Sequence, residues 1–207
     1  MTTNPRDPDP YARRPEAVSA PWRDAYMQAL DGSTGECDPR GAAPSGCFLS
    51  EYWLAPQRDV ENHVIARVGS GATGGMILLN RYPYTNGHLL VALGEGRGAL
   101  TEYAPEQQAA LWALVTLAAA LAERTLKPQG LNIGINQGAA GGAGVPQHLH
   151  AHVAPRWNGD VNFATVVAQI RVIPSALEVM AERYRAEWAL MRPGGPIAGA
   201  GTSVPDA

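Results

Sequence analysis

The spacing of hydrophobic and polar positions changes along the chain, and each change marks an element. Residues 62–68, 76–80 and 88–93 are short apolar runs separated by Gly, Pro and Asn clusters, which predicts three hairpin-linked antiparallel strands. From 105 to 127 the period becomes helical. Leu111, Leu114, Val115, Ala118, Leu121 and Ala122 form one apolar stripe, Pro105 suits the first turn, and Pro128-Gln129-Gly130 ends the run. Residues 131–136 and 148–153 predict two more strands around a glycine-rich connection. Ser175 followed by Glu178 reads as a capping box, and Leu177, Met180, Tyr184 and Trp188 carry an amphipathic helix on to Pro193. The sum is an α+β domain, an antiparallel sheet of about five strands packed with one long helix and a C-terminal helix.

The flanks differ. Residues 1–20 and 193–207 lack periodicity and are rich in Pro, Gly, Ala and polar residues; they predict flexible tails around a domain at 21–192. Within that domain, residues 21–30 predict a short helix with Trp22 and Tyr26 on one face, and 31–46 a loop. A net charge of −3 supplies no basic field for a nucleic-acid polymer. Only Cys37 and Cys47 are present, no apolar run opens the chain, and Pro15-Glu16 follows Arg13-Arg14 where a signal would turn apolar, so a cytoplasmic location is expected. The most apolar stretch, 109–122, is shorter than the roughly 20 residues a membrane span needs, so no membrane partner is expected.

The chemistry concentrates at Gln147-His148-Leu149-His150-Ala151-His152-Val153, which holds three of the chain's five histidines at alternate positions. On a strand, alternate side chains share a face, which predicts an imidazole cluster on one side and Leu149, Ala151 and Val153 in the core on the other. Three imidazoles suit a metal, yet neighbours two apart on a strand lie roughly 6–7 Å apart and do not readily converge on one ion. Nucleophilic attack on phosphate is the other reading. Asn136 to Val145 is glycine-rich, and such a loop can bring backbone N–H groups to an anion.

The His-apolar-His-apolar-His-apolar pattern after an Asn-x-Gly turn resembles the histidine-triad (HIT) family of nucleotide hydrolases and transferases. The likeness extends to Leu79-Asn80-Arg81-Tyr82-Pro83-Tyr84-Thr85-Asn86-Gly87-His88-Leu89-Leu90-Val91 and, downstream, to Val153-Ala154-Pro155-Arg156-Trp157. These flanks resemble the branch of diadenosine tetraphosphate (AP4A) phosphorylases, also called ATP adenylyltransferases. The resemblance implies that His150 attacks an α-phosphorus, that His152 contacts phosphate or leaving group, and that His148 orders the site. It also implies that Asn80 holds ribose, Asn136 holds phosphate, His88 supports the triad, and backbone near Gly142, Gly144, Val145 and Gln147 meets the phosphates. Arg81 binds phosphate or pairs with a carboxylate; Trp157 and Phe163 belong to the pocket or to the core. Implied partners are an adenine nucleotide or dinucleoside polyphosphate, inorganic phosphate as acceptor, and a second copy in a homodimer. Phosphorolysis of AP4A to ADP and ATP, hydrolysis of AMP conjugates, and nucleotide binding without catalysis all fit the resemblance.

Three departures from the family pattern stand out. Many relatives carry Cys-x-x-Cys as half of a zinc site, where this chain reads Cys47-Phe48-Leu49-Ser50, so no metal and no cofactor are expected. The stretches 94–98 and 69–75 are unusually glycine-rich, the second reading as a loosened hairpin turn. His63 is expected to be a solvated histidine on an edge strand, and Asn158-Gly159-Asp160 a turn.

Overall fold

The computed structural model describes residues 47–160 and 173–191. The expected tails, the helix at 21–30, the loop at 31–46, Cys37 and Phe163 lie outside the described residues. In chain order the elements are α1 (Phe48–Leu54), β1 (Val64–Val68), β2 (Gly75–Leu79), β3 (Leu89–Leu93), α2 (Pro105–Leu126), β4 (Gly130–Ile135), β5 (Ala151–Arg156) and α3 (Leu177–Met191). The strands form one antiparallel sheet in the order β1-β2-β3-β5-β4. β5 therefore sits inside the sheet. Its pairing with β3 stops at Val153, which is why Pro155, without an N–H, fits farther along the strand.

Strand alternation divides the core in two. Ile77, Leu79, Leu89, Val91, Leu93, Ala151 and Val153 face α2 and α3, together with Leu149 just before β5. Met76, Leu78, Leu90 and Ala92 face the other way, toward Leu49 and Tyr52 of α1 and Cys47 at its start. α2 runs from Pro105 at its first turn to Lys127, whose left-handed φ of 48° closes it. At 22 residues it is longer than its apolar run suggested, and long and apolar enough to cross a membrane by length and composition. Its stripe is nevertheless used internally, since Leu111, Leu114, Val115, Ala118, Leu121 and Ala122 are all buried in the sheet-facing core.

α3 is tied to the start of β3. Tyr184 donates its hydroxyl to the Gly87 carbonyl at 2.7 Å. Gly87 has φ +74°, and a Cβ there would lie 2.3 Å from Leu126 and 2.7 Å from the Tyr184 hydroxyl. Only glycine satisfies both the turn and the close approach. The helix begins at Leu177, so Ser175 stands one position outside the expected capping box, and the Ala176 carbonyl takes the first helical hydrogen bond, from the Met180 N–H at 3.0 Å. His63 also departs from expectation: it lies just before β1, is 7 % exposed, and adopts φ 52° within 3.9 Å of Glu178. The bend that aims the chain into β1 carries the ring inward rather than to solvent.

Candidate active site

β5 begins at Ala151, so of the three alternate histidines only His152 lies on the strand. It pairs with Leu90 of β3 and Gly134 of β4, which puts it on the α1 side of the sheet. His148 and His150 precede the strand. Leu149 donates its N–H to the Arg97 carbonyl at 2.7 Å, and His148 donates its own to Val145 at 3.1 Å. The chain thus leaves the β3 ladder and turns, and the expected single row of three imidazoles is broken at its first member.

His148 points into the protein. Its ring is fully buried, and Nε2 lies 2.8 Å from the Leu93 carbonyl. A carbonyl only accepts, so Nε2 carries the proton and Nδ1 presents its lone pair. Cys47 Sγ and Ser50 Oγ each lie 3.2 Å from that lone pair. Burial pushes His148 below the ordinary imidazole pKa, against the raising effect of the Leu93 bond.

His150 is held by its neighbour's backbone. Nδ1 donates to the His148 carbonyl at 2.8 Å, which fixes the proton there and leaves the lone pair on Nε2. Burial lowers the pKa of this ring as well, offset by the His148 carbonyl bond and reinforced by the nearby His148 ring. His152 lies beside it, with ring centroids 5.1 Å apart.

A fourth histidine completes the group. His88, fully buried at the entry to β3, places Nε2 3.0 Å from His152 Nδ1. The Tyr84 N–H donates to His88 Nδ1 at 3.1 Å, and Asn80 Nδ2 lies 3.2 Å from the same atom. Asn80 Oδ1 accepts from the Tyr82 N–H at 3.0 Å, so the amide nitrogen faces the ring. His88 Nδ1 therefore accepts, Nε2–H donates to His152 Nδ1, and His152 carries its own proton on Nε2. Tyr84 stacks over His152 at 5.7 Å and 20°. Tyr84, Cys47 and Ser50 also neighbour the histidines; local sequence marks the latter pair only through the spacing Cys47-x-x-Ser50 and gives no sign of Tyr84.

The glycine-rich loop is less open than expected. Gly138 and Gly142 hold φ of 71° and 85°, as the turn requires. The N–H groups of Gly141, Gly142 and Ala143 bond within the loop, to Gly138, Ala139 and Gly138, and so do not face an anion. Asn136 Nδ2 lies 3.4 Å from the Gly142 carbonyl. Val145 is buried among Met76, Leu78 and Leu90, while Gln147 is exposed. Arg81 is half-buried, its Nη1 enclosed without a partner among the described residues. Trp157 lies beyond β5, roughly 16 Å along the strand from His152 at 3.3 Å per residue. Its N–H meets Asp160, and Arg156 pairs with the same carboxylate at 2.5 and 2.8 Å, so 157–160 is a closed turn and Arg156 a carboxylate partner.

Both depressed imidazoles tie stability to pH. Unfolded rings titrate near 6.5, whereas folded His148 and His150 bind protons only at lower pH. The stability this contributes is complete above about 6.5 and is lost as pH falls toward the folded values. A scanning melt should show a lower Tm at pH 5.5 than at 7.5; an equal Tm would show that the two rings are not held neutral.

Comparison with known proteins gives a consistent picture. Residues 73–159 match the family described as HIT domain. The chain is 33 % identical over 171 residues to an AP-4-A phosphorylase of Mycobacterium tuberculosis, covering 81 % of this chain and 83 % of that protein. Among solved structures, a zinc-bound histidine triad family protein from Mycobacterium smegmatis is 29 % identical, covers 68 % of this chain and 94 % of its own, and superposes with a TM-score of 0.54. A hypothetical histidine triad nucleotide-binding protein from Sulfolobus tokodaii also reaches 0.54 at 22 % identity, covering 68 % and 93 %, a likeness of fold alone.

Proposed function

The chain belongs to the histidine-triad (HIT) family, and from that premise we propose that it is a nucleotidyl transferase that phosphorolyses diadenosine tetraphosphate to ADP and ATP through His150. The observation that carries this reading is the bond from His150 Nδ1–H to the His148 carbonyl. It fixes the tautomer whose Nε2 lone pair can attack phosphorus, and burial keeps that ring neutral. Attack on one α-phosphorus of AP4A forms an N–P bond and breaks the P–O bond to the rest of the chain, which leaves as ATP. The resulting adenylyl-imidazolium keeps its Nδ1–H on the carbonyl, where the positive charge is stabilised. Phosphate then attacks the same phosphorus, releasing ADP and restoring the neutral ring. His152, with its proton on Nε2, is the donor suited to the phosphate oxygens, and Asn80 and Asn136 are the amides suited to ribose and phosphate. The 33 % identity to an AP-4-A phosphorylase supports the choice of substrate.

The test is incubation of the full chain with AP4A, with and without inorganic phosphate and without added metal, followed by chromatography. Phosphorolysis predicts ADP and ATP in equal amounts only when phosphate is present. AMP and ATP in both arms would make water the acceptor and the protein a hydrolase. No product in either arm would overturn the enzymatic reading.

A further inference from the structure

A similar solved protein is zinc-bound, and the family pattern puts Cys-x-x-Cys where this chain has Cys47-x-x-Ser50, so the fit of zinc can be tested on the residues present. Cys47 is the N-cap of α1 and Ser50 lies one turn on, which puts both side chains on one face, toward His148. A tetrahedral zinc with a sulfur ligand at 2.3 Å and a nitrogen at 2.0–2.1 Å would hold those atoms about 3.5 Å apart. Cys47 Sγ and His148 Nδ1 are 3.2 Å apart. A neutral serine hydroxyl is not among the usual zinc ligands. Gly96, whose backbone closes on the ring so that a Cβ there would lie 2.8 Å from His148 Nδ1, offers no side-chain ligand. Among the described residues no cluster of three His, Cys, Asp or Glu side chains could hold a metal ion. The described residues do not fit zinc.

They do fit a hydrogen-bonded clamp. His148 Nδ1 is a buried acceptor with the Cys47 thiol and the Ser50 hydroxyl both within 3.2 Å, and the hydroxyl lies 3.4 Å from the sulfur. We infer that Cys47 and Ser50 are positioning residues that hold His148 in its Nε2–H tautomer without metal, and through its backbone carbonyl set the aim of His150. The chain of contacts is continuous. Cys47 or Ser50 donates to His148 Nδ1, His148 Nε2–H donates to the Leu93 carbonyl, and the His148 carbonyl accepts from His150 Nδ1–H. The glycine-rich stretch at 94–98 presses its backbone against the His148 ring at Gly96 and receives the Leu149 N–H at Arg97. The two donors share one lone pair, so loss of either leaves the other in place.

The experiment has two arms, and only the second rests on the proposed function. In the first, the full chain is incubated with zinc, desalted and analysed for metal, and its histidine side-chain nitrogens are observed by NMR. The clamp predicts well under one zinc per chain and an Nε2–H tautomer for His148. One tightly held zinc per chain, or an Nδ1–H tautomer, overturns it. In the second, Cys47→Ala with Ser50→Ala should lower kcat about tenfold with little change in KM, because a buried acceptor is left unsatisfied. Each single change, and Cys47→Ser alone, should lower kcat less than the double change does, because one donor to His148 Nδ1 remains. A double variant that keeps both the parent kcat and the parent His148 tautomer overturns the clamp. An inactive parent overturns only the function proposed above; the clamp is then decided by the zinc content of the first arm and by whether the His148 tautomer shifts in the double variant, or by the zinc content alone where that variant fails to fold.

Discussion

His150→Asn is expected to reduce turnover of diadenosine tetraphosphate by at least about 10⁴-fold, the scale on which loss of a covalent nucleophile acts, while substrate still binds. Asparagine is the suitable replacement because its side-chain N–H can occupy the position of imidazole Nδ1 and donate to the His148 carbonyl, 2.8 Å away in the parent chain. The backbone turn and the neighbouring His152 then keep their places, and what is removed is the Nε2 lone pair. Quenched single-turnover reactions with labelled nucleotide should show an adenylylated protein with the parent chain and none with the variant. Calorimetric titration with substrate should give dissociation constants within a few-fold of one another. Turnover within tenfold of the parent would show that another atom attacks phosphorus.

The residues that make this expectation specific were only partly legible in the sequence. Alternation of Leu149, Ala151 and Val153 with the histidines identifies the core side of the segment, because burial of an apolar row on one face is the strongest signal a strand emits; the three residues do lie in the α2-facing cluster. The same alternation misplaces His148 and His150. A strand and an extended segment leaving a strand have the same pattern, and what separates them is whether a neighbouring chain supplies hydrogen bonds. Here Arg97 and Val145 take the N–H groups of Leu149 and His148, from positions that local pattern does not reveal. α1 was missed for a related reason: at seven residues it is too short to show a period, and its packing on Val64, Met76 and Leu78 stabilises it. α2, with six turns and a continuous stripe, was readable nearly to its last residue. His88 was named from resemblance alone, and the direction of its hydrogen bonds comes from the backbone N–H of Tyr84 and the Asn80 amide, which only the folded chain brings to Nδ1.

That direction leads to the second large effect. His88→Phe should lower kcat about 100-fold, whereas His88→Gln should lower it about tenfold or less, in keeping with the range over which a positioned proton donor contributes. The backbone N–H of Tyr84 forces Nδ1 of His88 to accept, so Nε2–H must donate to Nδ1 of His152 across 3.0 Å. His152 then presents N–H, not a lone pair, from Nε2. Phenylalanine fills the space beside Tyr84 and His152 but donates nothing. The imidazole of His152 becomes free to take the other tautomer, which would turn a lone pair toward the phosphate and repel it. Glutamine can place a side-chain N–H near the former Nε2 and restore the direction of the bond. A simple packing role predicts the reverse order, with phenylalanine, the larger ring, the better substitute for a side chain that is fully buried. Steady-state kinetics on the two variants, with thermal melts to confirm that both fold, distinguish these accounts. Equal activity of the two variants would mean that His88 does not set the tautomer of His152.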